Sequence, residues 1–186
     1  AADHKDTIVE RLPVIPRQKN GKRVACIGAG PASLTVANDL LPLGYEVVVF
    51  EQWDKPGGLM RTNIPAFRLP ESVIDEEIGY ITGMGAEIRY GSRIDSLRKL
   101  LGSGEFDAVF VGSGAPKGKE LKLPGRREGD ASIHIGIEWL ESVAFKHVDR
   151  IGERVLIIGV GNTAMDCCRS SLRLGAKDVK VMARKP

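Results

Sequence analysis

The sequence predicts an α/β fold made of two similar strand–turn–helix–strand units. In the first, residues 22–51, an apolar run, a glycine-rich turn, a helical pattern and a second apolar run follow one another. The same order recurs in residues 154–184. Three pairs of glycines are each 131 positions apart: Gly28 and Gly159, Gly30 and Gly161, Gly44 and Gly175. A second copy in register is far harder to obtain by chance than one glycine-rich turn.

The first unit has the elements of a dinucleotide-binding turn. We expect a buried parallel strand over Val24–Ile27, a helix that runs through Leu41 and a second strand over Glu46–Phe50. The connection between the first strand and the helix carries the candidate pyrophosphate-binding residues Gly28, Gly30, Pro31, Ala32 and Ser33.

Each of these positions has a chemical reason. Gly28 lets the backbone turn sharply, and Gly30 lets it approach a pyrophosphate that sits on the helix N-terminus. Glu51 follows the second strand, 23 residues after Gly28, where an acid binds a ribose hydroxyl. The alternative is a glycine-rich turn that binds no ligand.

The second unit differs at the end of its second strand. With one residue inserted, Glu51 aligns with Ala183, and Arg184 and Lys185 follow. A missing acid beside an arginine favours a 2′-phosphate, and therefore NADP over NAD. The alternative is that the two basic side chains only solvate the end of a strand.

Composition excludes several classes of protein. The net charge of +3 is too small to indicate nucleic acid, and no apolar run approaches the roughly 18 residues of a membrane span. Three cysteines and three histidines show no disulfide, metal or iron–sulfur spacing. We therefore expect no metal site, no membrane partner and, since the N-terminus lacks a signal-peptide core, a cytoplasmic location.

The rest of the chain is expected to divide into an extended N-terminal arm over 1–20 and two domains over 21–117 and 118–186. Residues 52–70 are a long loop, in which Gly57 and Gly58 present bare backbone. Gly112-Ser113-Gly114 follows a buried strand, and such a glycine pair also indicates backbone that passes close to a ligand. Further elements are expected as helices over 70–84, 96–101 and 133–145 and strands over 86–90 and 106–111.

Several motifs together resemble a known family. They are GAGPAS at 28–33, FE at 50–51, PGGL at 56–59, IPAFRLP at 64–70, DAVFVGSGAP at 107–116 and GVGNTAMD at 159–166. The chain resembles the FAD/NAD(P)H oxidoreductase module of the glutamate synthase small subunit, which also occurs in dihydropyrimidine dehydrogenase. The resemblance covers residues 21–186, and IPAFRLP is its most specific part.

The resemblance implies two Rossmann-like dinucleotide-binding units, the first for FAD and the second, incomplete at the C-terminus, for NAD(P)H. The cofactors carry the hydride transfer, so no catalytic acid or base is expected. The implied FAD-binding residues beyond Gly28–Ser33 are Glu51 at the ribose, Gly58, Leu59 and Arg68 at the flavin, Ile94 at the adenine, and also Gln52 and Gly114. The implied pyridine-nucleotide residues are Gly159, Gly161, Asn162, Thr163, Arg184 and Lys185.

The chain departs from the family pattern in two places. It has no cysteine-rich region before the first glycine turn, so any iron–sulfur clusters are expected on a partner subunit of a larger complex. It also stops at Pro186, just after the second strand of the second unit. Two alternatives stay open, a non-catalytic scaffold remnant and a dehydrogenase with a single NAD(P) cofactor. The direction of electron flow and the final redox partner are not determined.

Overall fold

The computed structural model describes residues 10, 12–120 and 124–183. Their contacts divide the chain into two compact units. Unit 1 contains the described residues up to Met60 together with Pro70–Gly114, and unit 2 contains Arg61–Leu69 and the described residues from Ala115 onward. Residues 61–69, which lie within the expected first domain 21–117, have their contacts in unit 2, and the expected domain boundaries stay a prediction.

Unit 1 is built on a four-stranded parallel sheet in the order β3-β2-β1-β4. Strand β1 lies between β2 and β4, because the connections return the chain first to one side of β1 and later to the other. The strands are β1 Arg23–Ile27, β2 Glu46–Phe50, β3 Glu87–Arg89 and β4 Ala108–Val111. The helices are α1 Pro31–Leu40, α2 Leu59–Thr62, which crosses into unit 2, α3 Glu71–Gly83 and α4 Leu97–Gly102, with a 3₁₀ turn over Leu41–Leu43.

Both faces of the sheet in unit 1 are covered, as parallel sheets require. One face forms a cluster that includes Cys26, Val49 and Ala37 of α1, and the other forms a cluster of Ala25, Val48, Phe50 and Phe106. This packing holds the carboxyl ends of β1 and β2 side by side.

Unit 2 contains a parallel pair of strands with two helices. They are α5 Gly136–Ala144, β5 Arg154–Ile158, α6 Asn162–Arg173 and β6 Asp178–Met182, after a 3₁₀ turn over Asp130–Ser132. Trp139 and Leu140 of α5 pack with Cys167 of α6. The predicted α/β fold with parallel strands is therefore confirmed.

Two elements differ from expectation. The helix expected over 133–145 begins only at Gly136, because a 3₁₀ turn and extended backbone precede it. The loop expected over 52–70 contains the short helix α2. Among the described residues no helix is long and apolar enough to cross a membrane.

Candidate nucleotide-binding sites

The turn after β1 has the backbone of a dinucleotide cradle. Gly28 has φ +86°, and its N–H donates to the carbonyl of Phe50 at 2.7 Å, which closes the turn onto β2. A Cβ at Gly28 would lie 2.8 Å from the carbonyl oxygen of Gly112. Only glycine therefore fits this position, for conformational and for steric reasons.

Helix α1 begins as an open anion site. Gly30 is the N-cap residue, with φ −82° and ψ 178°, and no side chain caps the helix. The first turn contains no acidic residue, and Pro31 and Ala32 are exposed at its start. The free N–H groups of a helix start and the helix dipole favour a negatively charged group here.

Glu51 braces this turn from the end of β2. Its Oε2 accepts a hydrogen bond from the N–H of Ala29 at 2.7 Å, and its Oε1 accepts one from the N–H of Trp53 at 3.0 Å. The side chain is 4% exposed. A carboxylate oxygen has two lone pairs, so each oxygen keeps one acceptor site for a ribose hydroxyl. Glu51 therefore holds the backbone of the turn through hydrogen bonds. The sequence did not predict this structural role.

The glycine pair of the following loop lies against the same turn. The N–H of Gly57 donates to the carbonyl of Ala29 at 2.8 Å. A Cβ at Gly58 would lie 2.9 Å from the Cα of Gly30. Both polar backbone groups of Ala29 are therefore engaged, and Gly58 is placed beside the N-cap of α1, next to the predicted pyrophosphate position.

The side chain of Ser33 is buried beneath the first turn of α1. It is completely buried, its hydroxyl lies 3.5 Å from the carbonyl of Ile27, and a Cβ at Gly112 would lie 2.2 Å from its Oγ. The side chain therefore packs where α1 crosses the ends of β1 and β4. Position six of this turn is where close helix–strand packing is typical, and the predicted place of Ser33 at the pyrophosphate stays a prediction.

The turn after β5 repeats the geometry of the first. The N–H of Gly159 donates to the carbonyl of Met182 at 2.9 Å, as Gly28 does to Phe50. Gly161 is the N-cap of α6 with φ −77° and ψ 176°, again without a side-chain cap or an acid in the first turn. Since Met182 corresponds to Phe50, Ala183 corresponds to Glu51, as the sequence alignment predicted.

The surroundings of the second turn differ from those of the first. Val160, which corresponds to the fully buried Ala29, is 64% exposed. Gly161, Asn162 and Thr163 are all exposed at the start of α6. Arg184 and Lys185 lie outside the described residues, so their predicted contact with a 2′-phosphate stays a prediction.

Arg68 makes its main contact in unit 2. One guanidinium nitrogen, Nη1, donates to both carboxylate oxygens of Asp166, at 2.8 and 2.6 Å. Asp166 is 4% exposed and lies on α6. The hydrogen bond to Asp166 raises the pKa of Arg68 further above its usual value. The sequence assigned Arg68 to the first domain and the flavin, and its place beside the flavin stays a prediction.

The remaining candidates of the first domain are Gln52, Leu59, Ile94 and Gly114. Ile94 packs against the buried cluster that contains Phe50 and lines a cavity of about 390 Å³ with Arg89 and Lys99. Gln52 and Gly114 are exposed, and Leu59 begins α2. None of these placements tests the predicted contact with FAD.

The two buried cysteines have the character of packing residues. Burial raises the pKa of the Cys26 and Cys167 thiols to about 11. A thiol of that pKa is a poor nucleophile at neutral pH. No cluster of three or more potential metal ligands occurs in the described part of the chain, 10, 12–120 and 124–183.

Comparison with known proteins identifies the family. The family model for pyridine nucleotide-disulphide oxidoreductases matches residues 22–186. The chain belongs to this oxidoreductase family. It is 32% identical to the small chain of glutamate synthase [NADPH] from Bacillus subtilis, over 94% of this chain and 37% of that protein.

Two further comparisons also cover most of this chain and less than half of the matched protein. The chain is 37% identical to a homologue of the NAD-dependent dihydropyrimidine dehydrogenase subunit PreT from Salmonella typhi, over 91% of this chain and 41% of that protein. Mycobacterium tuberculosis FprA in complex with NADPH has the same fold, with a TM-score of 0.73 and 22% identity over 86% of this chain and 43% of that chain. The resemblance read from the motifs is confirmed, and the chain spans less than half the length of these proteins.

Proposed function

We propose that this chain is part of a flavoprotein electron-transfer module in which unit 1 binds FAD and unit 2 binds NAD(P)H. The single observation that carries the proposal is the repeated turn, in which Gly28 and Gly159 make the same hydrogen bond and Gly30 and Gly161 cap their helices in the same conformation. When bound, the two cofactors supply hydride transfer. The chain supplies binding and orientation.

The assignment of FAD to unit 1 rests on Glu51 and on the covered sheet. We assign the ribose diol to Glu51, whose carboxylate already accepts hydrogen bonds from the N–H groups of Ala29 and Trp53. A site whose polar groups are fixed in advance loses little conformational freedom on binding. This favours a cofactor that stays bound.

The assignment of a dissociable pyridine nucleotide to unit 2 agrees with its charge. The sequence of unit 2, 61–69 and 115–186, contains 16 lysines and arginines against 9 aspartates and glutamates, a net charge of +7. The sequence of unit 1 contains 11 lysines and arginines against 15 aspartates and glutamates, a net charge of −4. A basic unit attracts an anionic dinucleotide, and NADPH more than NADH because of its extra phosphate.

We also propose that unit 2 requires further strands. Leu156 and Ile158 on one face of the β5–β6 pair are 60% and 54% exposed, and Met182 opposite Ile158 is 47% exposed. Parallel strands are normally covered on both faces. The greater length of the relatives agrees with a longer polypeptide that covers this face.

The partner is proposed to be an iron–sulfur redox subunit of a larger complex. The support is indirect: the relatives include the small chain of a glutamate synthase. The chain itself carries three cysteines without cluster spacing, and two of them are buried. The proposal predicts no stoichiometric iron in the isolated chain.

The test is spectroscopic and uses the full-length protein. A yellow protein whose flavin absorbance near 450 nm is bleached by NAD(P)H under anaerobic conditions is expected, because bleaching reports flavin reduction. A yellow protein that NAD(P)H does not reduce would indicate a scaffold, and a colourless protein that binds NAD(P)H would indicate a dehydrogenase with one cofactor. Either result would contradict the proposed function.

A further inference from the structure

Helix α6 of unit 2 carries a buried acid in its second turn. Asp166 lies four residues after Asn162, the first residue of the helix, and its side chain is 5% exposed. Four residues correspond to about 6 Å along the helix axis, and helical side chains tilt toward the N-terminus. The carboxylate therefore lies within about one turn of the free N–H groups that form the candidate pyrophosphate site.

A negative charge at this depth acts against anion binding at the start of the helix. The free N–H groups attract an anion through a partial positive charge of roughly half an elementary charge. An unpaired carboxylate about 6 Å away would cancel much of that attraction, because burial keeps water from screening it. The second glycine turn therefore needs a cation at Asp166 in order to hold pyrophosphate.

Arg68 supplies that cation from the segment 61–69. Its Nη1 donates to both carboxylate oxygens of Asp166, at 2.8 and 2.6 Å. The segment is also held on α5, where the side-chain amide of Asn63 donates to the carbonyl of Ile137 at 2.6 Å. All of these contacts lie within unit 2, so the charge at the second turn is balanced inside the unit that contains it.

We propose that Arg68 is a positioning residue of the pyridine-nucleotide site, where it neutralises Asp166 and so keeps the start of α6 attractive to pyrophosphate. The inference rests on the proposed function, because it requires NAD(P)H at the second turn. Pyrophosphate is common to NADH and NADPH, so both nucleotides depend on Arg68 to the same degree. This dependence separates Arg68 from Arg184, whose predicted contact is with the 2′-phosphate alone.

The experiment compares two variants of the full-length protein that break the same ion pair but leave opposite charges. R68Q leaves the buried carboxylate unpaired, whereas D166N leaves Arg68, whose side chain is 38% exposed and reaches water. At about pH 8.5, well above the usual pKa of a carboxyl group, R68Q is expected to bind NADP⁺ and NADH about tenfold more weakly than wild type. D166N is expected to bind both at least as tightly as wild type. Calorimetric titration measures each affinity.

Two further variants separate the effect of charge from that of folding. R68Q/D166N leaves no unpaired buried carboxylate, so it is expected to recover the affinity lost in R68Q. R173Q is the matched control, because it removes an equal charge from α6 about 16 Å from the helix start. It also breaks a contact of the segment 61–69, since the guanidinium of Arg173 lies 3.7 Å from the ring centroid of Phe67. At that distance, beyond the screening length, it is expected to leave both affinities within about twofold of wild type.

Each outcome decides the matter. Weaker binding in D166N overturns the inference, even where R68Q does not fold, because it would mean that the ion pair matters and the charge of Asp166 does not. Weak binding that persists in R68Q/D166N, or a loss for NADP⁺ without a loss for NADH, also overturns it while the proposed function stands. Failure of the wild-type protein to bind either nucleotide overturns the proposed function, and the inference with it.

Discussion

The first and second glycine turns have the same backbone but different support. In the first, Ala29 is buried, its N–H is held by Glu51 and its carbonyl by Gly57. In the second, the corresponding Val160 is exposed, and Ala183 stands where Glu51 stands. The comparison shows that the same strand–turn–helix geometry occurs with two different sets of surrounding contacts.

The largest expected effect is at the first glycine of each turn. Gly28→Ala would place a Cβ 2.8 Å from the carbonyl oxygen of Gly112 and would force a side chain into φ +86°. We expect a loss of about 3 kcal/mol or more in the free energy of unfolding, together with loss of bound FAD.

Gly159→Ala is the matched control for this comparison. The new side chain would have a strained φ of +125°, but its Cβ would lie 3.9 Å from the nearest atom, the Cβ of Ala164. We expect a loss of about 1–3 kcal/mol from backbone strain alone. Chemical denaturation of both variants and flavin content measure the difference, and equal losses would mean that the steric contact at Gly112 relaxes.

The second effect concerns Glu51. Glu51→Ala removes the acceptor for the N–H groups of Ala29 and Trp53 as well as the proposed ribose contact. We expect FAD binding to weaken by about 1.5–3 kcal/mol. Glu51→Gln keeps one carbonyl acceptor and is expected to lose less. Unchanged affinity for FAD in Glu51→Ala, measured by titration of the stripped protein, would contradict the assigned role.

The third effect concerns nucleotide choice in the second turn. Arg184→Ala is expected to weaken NADPH binding about tenfold and to leave NADH nearly unchanged, because arginine holds the 2′-phosphate in a two-point contact. The comparison is made by titration of the full-length protein. Wild-type protein that binds NADH as tightly as NADPH would indicate that NAD is the natural cofactor.

The smallest effect is expected on the open face of β5. Leu156→Ser changes a side chain that is 60% exposed, so in the 186-residue chain it should alter the free energy of unfolding by less than about 0.5 kcal/mol. In a longer protein that covers this face the same change should cost about 2 kcal/mol or more. Denaturation of both lengths measures this, and equal small losses would mean that the face stays open.

The sequence predicted the two turns because their signals are local. The glycines, the apolar strands and the acid at the strand end occur at short, fixed separations, and the order of elements in both units is confirmed. The sequence missed contacts made over long separations. The brace from Glu51 to Ala29 and the placement of 61–69 in unit 2 depend on how the chain returns.

One of the missed contacts did leave a signal. Asp166 lies on the buried side of α6 beside Cys167, and a carboxylate in such a position needs a cationic partner. The sequence does not indicate which of its 27 lysines and arginines has that role, and the fold places Arg68 there. The burial of Ser33 left no comparable signal, because it depends on the approach of Gly112, which is far along the chain.

The brace at Glu51 has a consequence for protein engineering. A residue that both shapes a turn and contacts a ligand is difficult to exchange, because each substitution changes two properties at once. Glu51 is such a residue through its hydrogen bonds to Ala29 and Trp53. Ala183 is exposed and has no polar side chain, so it cannot hold the turn by a side-chain hydrogen bond. Redesign of nucleotide preference should therefore begin at Ala183, an exposed position with no polar side chain to replace.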